Sequence, residues 1–185
     1  MPSTRGVYAV EVAGLHRDLP LFEVAPGVQI AVLNILGDTE LVEACAHSLA
    51  ERLARVEFDL IVTPEAKSIP LAHALARAVG RAYVVLRKLR KVYMGETVEV
   101  ETVSITTGRP QTLFLDEKDR DKIKGRRVVL LDDVVSTGST LEGMRAMMAK
   151  AGATVAAEAA VFTEGDPQRW KSIIALGHLP VFGSG

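Results

Sequence analysis

The chain has 185 residues, 48% apolar and 24% charged, a balance typical of soluble globular proteins; one domain of this length buries roughly two thirds of its unfolded surface. Its net charge of −1 gives no electrostatic case for nucleic acid or a membrane surface. No apolar run reaches the roughly 20 residues of a membrane span, and a lone cysteine, Cys45, leaves no internal disulfide.

The N-terminus lacks the apolar core of a secretory signal, so a cytoplasmic protein is expected. Residues 1–27 read as an N-terminal strand and loop that packs on the core or caps a site. Val28–Ile35 is a β-branched apolar run and is expected to be a strand. Asp38 or Thr39 then caps a helix with Leu41, Val42, Cys45, Leu49 and Leu53 on one stripe, which makes Cys45 a buried thiol. Phe58–Val62 reads as a buried strand. Ser68 is expected to cap the next helix, with Pro70 tolerated in its first turn and Leu71, Leu75 and Val79 facing the core. Ala82–Leu86, Val128–Leu131 and Ala153–Phe162 are further strands, and Leu141, Met144, Met148 and Ala151 form a helical stripe. Continuous apolar strands separated by helices imply a parallel sheet covered on both faces, with ligands beyond the carboxyl ends of its strands. Between residues 88 and 124 the chain turns polar, with alternating pieces at Thr97–Val103 and Gln111–Leu115, and reads as a long, flexible hairpin flap.

The segment Val128 to Leu141 carries the chemistry. Four apolar residues lead to Asp132 and Asp133, followed by Val134, Val135, Ser136, Thr137, Gly138, Ser139 and Thr140 at the opening of a helix. Backbone N–H groups and hydroxyls at a helix start suit a phosphate, and Gly138 lets the backbone approach without a Cβ. The paired carboxylates suit two vicinal ribose hydroxyls and sit near any Mg²⁺ that a diphosphate brings. An acidic pair alone ends many strands; the ordered combination is far more specific, and it is not a Walker A loop because no Gly-Lys-Ser/Thr follows a glycine turn.

This segment resembles the phosphoribosyl-diphosphate signature of type I phosphoribosyltransferases. Thr63-Pro64-Glu65-Ala66-Lys67-Ser68 occupies the place of that family's pyrophosphate loop, which often contains a non-proline cis peptide. The stretch from Arg87 through Lys88 and Lys91 to Gly95-Glu96-Thr97 resembles the basic flap entry of adenine phosphoribosyltransferases. The resemblance implies a type I phosphoribosyltransferase fold: α/β, doubly wound and mostly parallel, with helices on both faces and a β-hairpin flap, in one domain over 1–185. It implies transfer of ribose 5-phosphate from 5-phosphoribosyl 1-diphosphate to a purine base, releasing pyrophosphate, in purine salvage, with Mg²⁺ carried mainly by the diphosphate and no direct protein ligand. Asp132, Asp133 and Lys91 are the expected catalytic residues. Asp132, Asp133 and Val135 to Thr140 would hold the ribose and 5′-phosphate. Glu65, Ala66, Lys67, Ser68, Arg87, Lys88 and Lys91 would hold the pyrophosphate. A homodimer follows from the same resemblance, with no nucleic acid and no membrane partner.

Two departures bear on the base. Adenine enzymes usually carry Glu-Tyr-Gly in the flap, where this chain has Thr106-Thr107-Gly108, and oxopurine enzymes place an acid where Ser136 stands. The flap from Ser104 to Thr112 is equally similar to the phosphoribosyltransferase-like domain of the bacterial purine repressor. A non-catalytic phosphoribosyl-diphosphate sensor and an oxopurine enzyme are therefore the alternatives to an adenine enzyme. His16, His47, His73 and His178 lack metal-ligand spacing, and Trp170 is expected to be a packing residue.

Overall fold

In the computed structural model, which describes residues 6–103 and 110–183, the N-terminal stretch is a hairpin of Val7–Val12 (β1) and Leu15–Ala25 (β2). Its strands pair antiparallel up to Val12 opposite Leu15, leaving the two-residue turn Ala13-Gly14. Both turn residues have positive φ, 51° and 76°, which matches the right-handed twist of the strands they join. Val28–Ala31 (β3) pairs antiparallel with β2. Helix Thr39–Leu53 (α1) follows, capped by Asp38, whose Oδ1 accepts from Leu41 N at 3.1 Å. Arg17 on β2 donates to the same carboxylate at 2.7 Å and so ties the hairpin to the helix start.

Leu60–Pro64 (β4), Ile69–Val79 (α2) and Ala82–Leu86 (β5) make the first parallel unit. After a 3₁₀ turn at Val92–Met94 come Val98–Val103 (β6) and Pro110–Leu115 (β7), an antiparallel hairpin with Val98 opposite Leu115. Glu117–Ile123 (α3) leads into Arg127–Val135 (β8), Ser139–Ala151 (α4) and Thr154–Glu164 (β9). A second 3₁₀ turn at Pro167–Trp170 leads to Ile174–Leu179 (β10) and Val181–Gly183 (β11).

Five strands form an all-parallel sheet in the order β10-β9-β8-β4-β5. Successive strand residues face opposite sides, and the core divides accordingly. Ile61, Val129 and Leu131 pack with Leu41 and Leu49 of α1 and Leu71 and Leu75 of α2. Val62, Val128 and Leu130 pack with Met144, Met147 and Met148 of α4 and with Leu113 and Leu115 of β7. A four-stranded sheet, β1-β2-β3-β11, is separate from the parallel one.

The expected doubly wound parallel sheet is present, with helices on both faces. Several expectations change in detail. The run from Val28 is strand only to Ala31, and it joins the antiparallel sheet because β2 and β11 flank it. Residues 1–27 contain a full hairpin rather than one strand and a loop, as far as they are described. The flap region holds the expected hairpin, but it also contains α3, whose only buried residues are Asp119 and Ile123 and which therefore shows no apolar stripe. The hairpin itself is anchored, since Leu113 and Leu115 are fully buried against the α4 side of the sheet. Residues 104–109, with the Thr106-Thr107-Gly108 departure, lie outside the described residues.

Candidate functional site

Strands β4 and β8 are neighbours, and parallel pairing brings their carboxyl ends to the same edge of the sheet. Thr63 Oγ1 donates to Leu131 O at 2.9 Å and locks the two ends together. Strand β8 runs past the expected Leu131 to Val135, because Asp132, Val134 and Val135 keep pairing with Ala160, Phe162 and Thr163 of β9. Asp132 and Asp133 thus sit within the strand's end rather than after it, and the sheet fixes their backbone.

Both carboxylates are nearly buried, at 8% and 7% exposure. Asp132 Oδ1 accepts from Ser68 Oγ at 3.0 Å and from the Asp133 N–H at 2.9 Å. Ser68 does begin α2, but its hydroxyl is turned to Asp132 and makes no cap bond. Asp133 Oδ2 lies 3.1 Å from Lys67 Nζ, an ion pair without hydrogen-bond alignment. Burial, and then the neighbouring charge of Asp133, push the Asp132 carboxyl above the ordinary carboxylate range.

The loop after β4 carries a cis peptide between Glu65 and Ala66. Glu65 Oε2 accepts from the Lys88 N–H at 2.9 Å and lies 3.1 Å from Arg87 Nε. The Lys88 N–H first, and the Arg87 guanidinium second, hold its carboxyl below the usual range. Pro64, Glu65, Ala66, Lys67, Ser68, Lys88, Leu89, Asp132, Asp133, Val134 and Thr140 line one cavity of about 490 Å³. A recess of about 30 Å³ adjoins it through Asp132, Val134 and Thr140 and is lined by Val135, Ser136, Thr137 and Gly138. Gly138 has φ 85°, which a residue with a Cβ rarely adopts. Thr137 Oγ1 lies 3.1 Å from Ser139 Oγ.

The sequence-predicted residues from Glu65 to Ser68, Lys88, Asp132, Asp133 and Val135 to Thr140 therefore come together, apart from Ser139, which reaches the recess only through Thr137. Arg87 stands behind the first loop, paired with Glu65, and lines a neighbouring cavity with Tyr83 and Asp116. Lys91 is exposed and lines neither the main cavity nor the recess.

Sequence reading missed Arg169, gave Thr63 no role of its own within its loop, and gave Trp170 a packing role without its partner. Arg169 Nη2 donates to Thr137 O at 2.7 Å, and the Trp170 indole N–H donates to Glu164 O at 2.9 Å. An aromatic side chain on a short connection carries no local signal of the loop it will touch.

Among the described residues no three His, Cys, Asp or Glu side chains gather as a metal cluster. The donor set fits Mg²⁺ held mostly by diphosphate and water oxygens: two buried carboxylates, one with an oxygen lacking an aligned donor, lie at the cavity wall. Cys45 is buried, and burial pushes its thiol up to about 11.

The profile of the phosphoribosyl transferase domain matches residues 32–176. The purine biosynthesis transcriptional repressor PurR of Bacillus subtilis is 32% identical over 72% of the chain, which spans only 46% of that repressor. The adenine phosphoribosyltransferase of Kosmotoga olearia is 33% identical over 75% of the chain and 79% of the relative. A crystal structure of adenine phosphoribosyltransferase from Thermoanaerobacter pseudethanolicus superposes with a TM-score of 0.68 at 23% identity, covering 93% of this chain and 95% of that one, a likeness of fold. Such a match over most of its length means that the chain belongs to the phosphoribosyl transferase domain family.

Proposed function

We propose that the chain is a purine phosphoribosyltransferase of purine salvage, transferring ribose 5-phosphate from 5-phosphoribosyl 1-diphosphate to a purine, with adenine the preferred base. The observation that carries this reading is the single cavity in which the loop after β4, the acidic end of β8 and the head of α4 face one another. Asp132 and Asp133 accept hydrogen bonds from the two ribose hydroxyls, and Ser136 to Thr140 receive the 5′-phosphate. Glu65 to Ser68 and Lys88 hold the diphosphate, and Arg87 and Lys91 join them when the basic stretch moves onto it. A base nitrogen attacks the anomeric carbon as the bond to the diphosphate breaks, through an oxocarbenium-like transition state. Positioning and charge stabilisation by these residues supply the catalysis. Bound Mg²⁺ would neutralise charge on the diphosphate.

Ser136 is neutral and exposed at the loop, which favours a 6-amino over a 6-oxo purine. A second reading, a sensor that binds the donor without turnover, is favoured by the similarity to the repressor. The two separate in an assay of pyrophosphate release with adenine, hypoxanthine, guanine and xanthine, run beside donor calorimetry. Adenine should turn over fastest. A faster oxopurine overturns the base assignment, and donor binding without any turnover selects the sensor.

Leu89, Val92 and Tyr93 are exposed apolar side chains on the basic stretch, and a homodimer is proposed to cover them. Sedimentation of the wild type beside a Val92→Glu, Tyr93→Glu variant tests this. No described helix is long and apolar enough to cross a membrane, and a cytoplasmic location is proposed.

A further inference from the structure

Behind the phosphate loop stand two side chains that the transfer reaction does not directly need. Arg169 Nη2 donates to Thr137 O at 2.7 Å, and its guanidinium lies 4.6 Å from the centre of the Trp170 ring. The indole is fixed in turn by its N–H bond to Glu164 O, at the end of β9. It lies flush against Gly138: a Cβ built there would stand 2.7 Å from Trp170 Cη2. Neither Arg169 nor Trp170 lines the recess formed by Val135 to Gly138, which leaves the opposite side of the loop for their contacts with Thr137 and Gly138.

We propose that Arg169 and Trp170 are positioning residues that hold the phosphate loop in its anion-receiving conformation. The inference rests on the reading of Ser136 to Thr140 as a phosphate site. A planar trans peptide carries its C=O and N–H on opposite sides. Arg169 grips the Thr137 oxygen from outside, which turns the Gly138 N–H the other way, towards the recess. Gly138 has no side chain to hold that peptide, and glycine visits both signs of φ readily. Released, the peptide can rotate and present a carbonyl oxygen to the phosphate, replacing attraction by repulsion. The stacked indole limits that rotation by filling the space behind Gly138. Ser136 to Thr140 include no charged side chain, so the Arg169 cation also polarises the Thr137–Gly138 peptide it holds.

Ribose 5-phosphate and inorganic pyrophosphate, titrated separately by calorimetry into wild type, Arg169→Ala and Arg169→Lys, test the proposal. Arg169→Ala should weaken ribose 5-phosphate about tenfold, the scale of one hydrogen bond from a charged donor, and Arg169→Lys should recover part of the loss. Pyrophosphate affinity and the unfolding midpoint should not move, because Arg169 is exposed and outside the loop after β4. Trp170 is the chain's only tryptophan, so its fluorescence should respond to ribose 5-phosphate and not to pyrophosphate. Unchanged ribose 5-phosphate affinity in Arg169→Ala, or an equal loss for both ligands, overturns the positioning role. A wild type that binds pyrophosphate but no ribose 5-phosphate refutes instead the phosphate reading on which it rests.

Discussion

Lys67 and Asp133 join the two loops of the site: their charged atoms lie 3.1 Å apart, and the same ammonium donates to Leu33 O at 3.1 Å. The carboxylate is the buried partner, with a side chain 10% exposed against 45% for the lysine. Lys67→Ala should therefore destabilise the chain by about 1–2 kcal/mol, less than a fully buried pair loses because water reaches the lysine. Adding Asp133→Asn to that variant should return most of the loss. Urea unfolding of the four species gives the coupling directly, and strictly additive effects would show that the pair contributes nothing.

Asp132 should act against stability. Its carboxyl is raised by burial and by Asp133, so the folded chain holds this proton more tightly than the unfolded chain does. The unfolded chain ionises at the ordinary value near 3.8. Folding stability attributable to this group is thus greatest below that value and falls as pH rises from there through the folded pKa. Asp132→Asn, which still accepts from Ser68 and the Asp133 N–H, should unfold at a higher temperature at neutral pH. A gain of at least about 1 kcal/mol, roughly 2–4 °C at this size, is expected, and it should vanish below the ordinary carboxylate pKa. The double variant Asp132→Asn, Asp133→Asn should stay folded yet lose at least about 3 kcal/mol of donor affinity, since charge-assisted hydrogen bonds are worth about 1.5–3 kcal/mol each. Unchanged calorimetric affinity would remove the ribose assignment.

Gly138→Ala combines a disfavoured φ of 85° with a methyl 2.7 Å from a rigid ring carbon. A cost of about 1–3 kcal/mol in stability is expected, with loss of ribose 5-phosphate binding and retained pyrophosphate binding. Thermal melts and separate titrations of the two ligands check this. A variant that binds both normally would mean that the loop adapts.

Lys91→Ala should lower the rate of transfer more than it lowers donor affinity. The side chain is exposed and lines neither the cavity nor the recess in this conformation, so a direct contact with the donor comes with movement of the basic stretch. Single-turnover rates measured beside donor affinity separate the two effects. Equal losses would make Lys91 an ordinary ground-state contact.

The parallel sheet was legible because Leu60 to Val62, Ala82 to Leu86 and Val128 to Leu131 are short apolar runs, and α1, α2 and α4 carry periodic apolar stripes. The proposed phosphate loop stood out because acidic, hydroxyl and glycine residues occur there in an order that few other structures require. What hid from the sequence was held by distant partners. Val28–Ala31 reads as a core strand until β2 and β11 are seen to pair with it. Helix α3 is the exception, since its cap, Asp116 accepting from Lys118 N, is local, but it buries too little to show a stripe. Ser68 looked like a cap, and only the neighbouring strand end reveals that its hydroxyl serves Asp132. Arg169 and Trp170 reach Thr137 and Gly138 across about thirty intervening positions, a distance no periodicity spans.

The two loops of the site grow from adjacent strands, β4 and β8, locked by Leu60 opposite Val128 and by the bond from Thr63 to Leu131. Neighbouring strands stand roughly 4.8 Å apart whatever their side chains. The gap between the proposed diphosphate and sugar-phosphate subsites is therefore a fixed gauge cut by main-chain pairing, which side-chain substitution cannot lengthen. Strands β1, β2, β3 and β11 belong to a separate sheet and do not enter that gauge. Substitution at their exposed positions can alter what else the chain accepts while the main-chain spacing between β4 and β8 stays as it was.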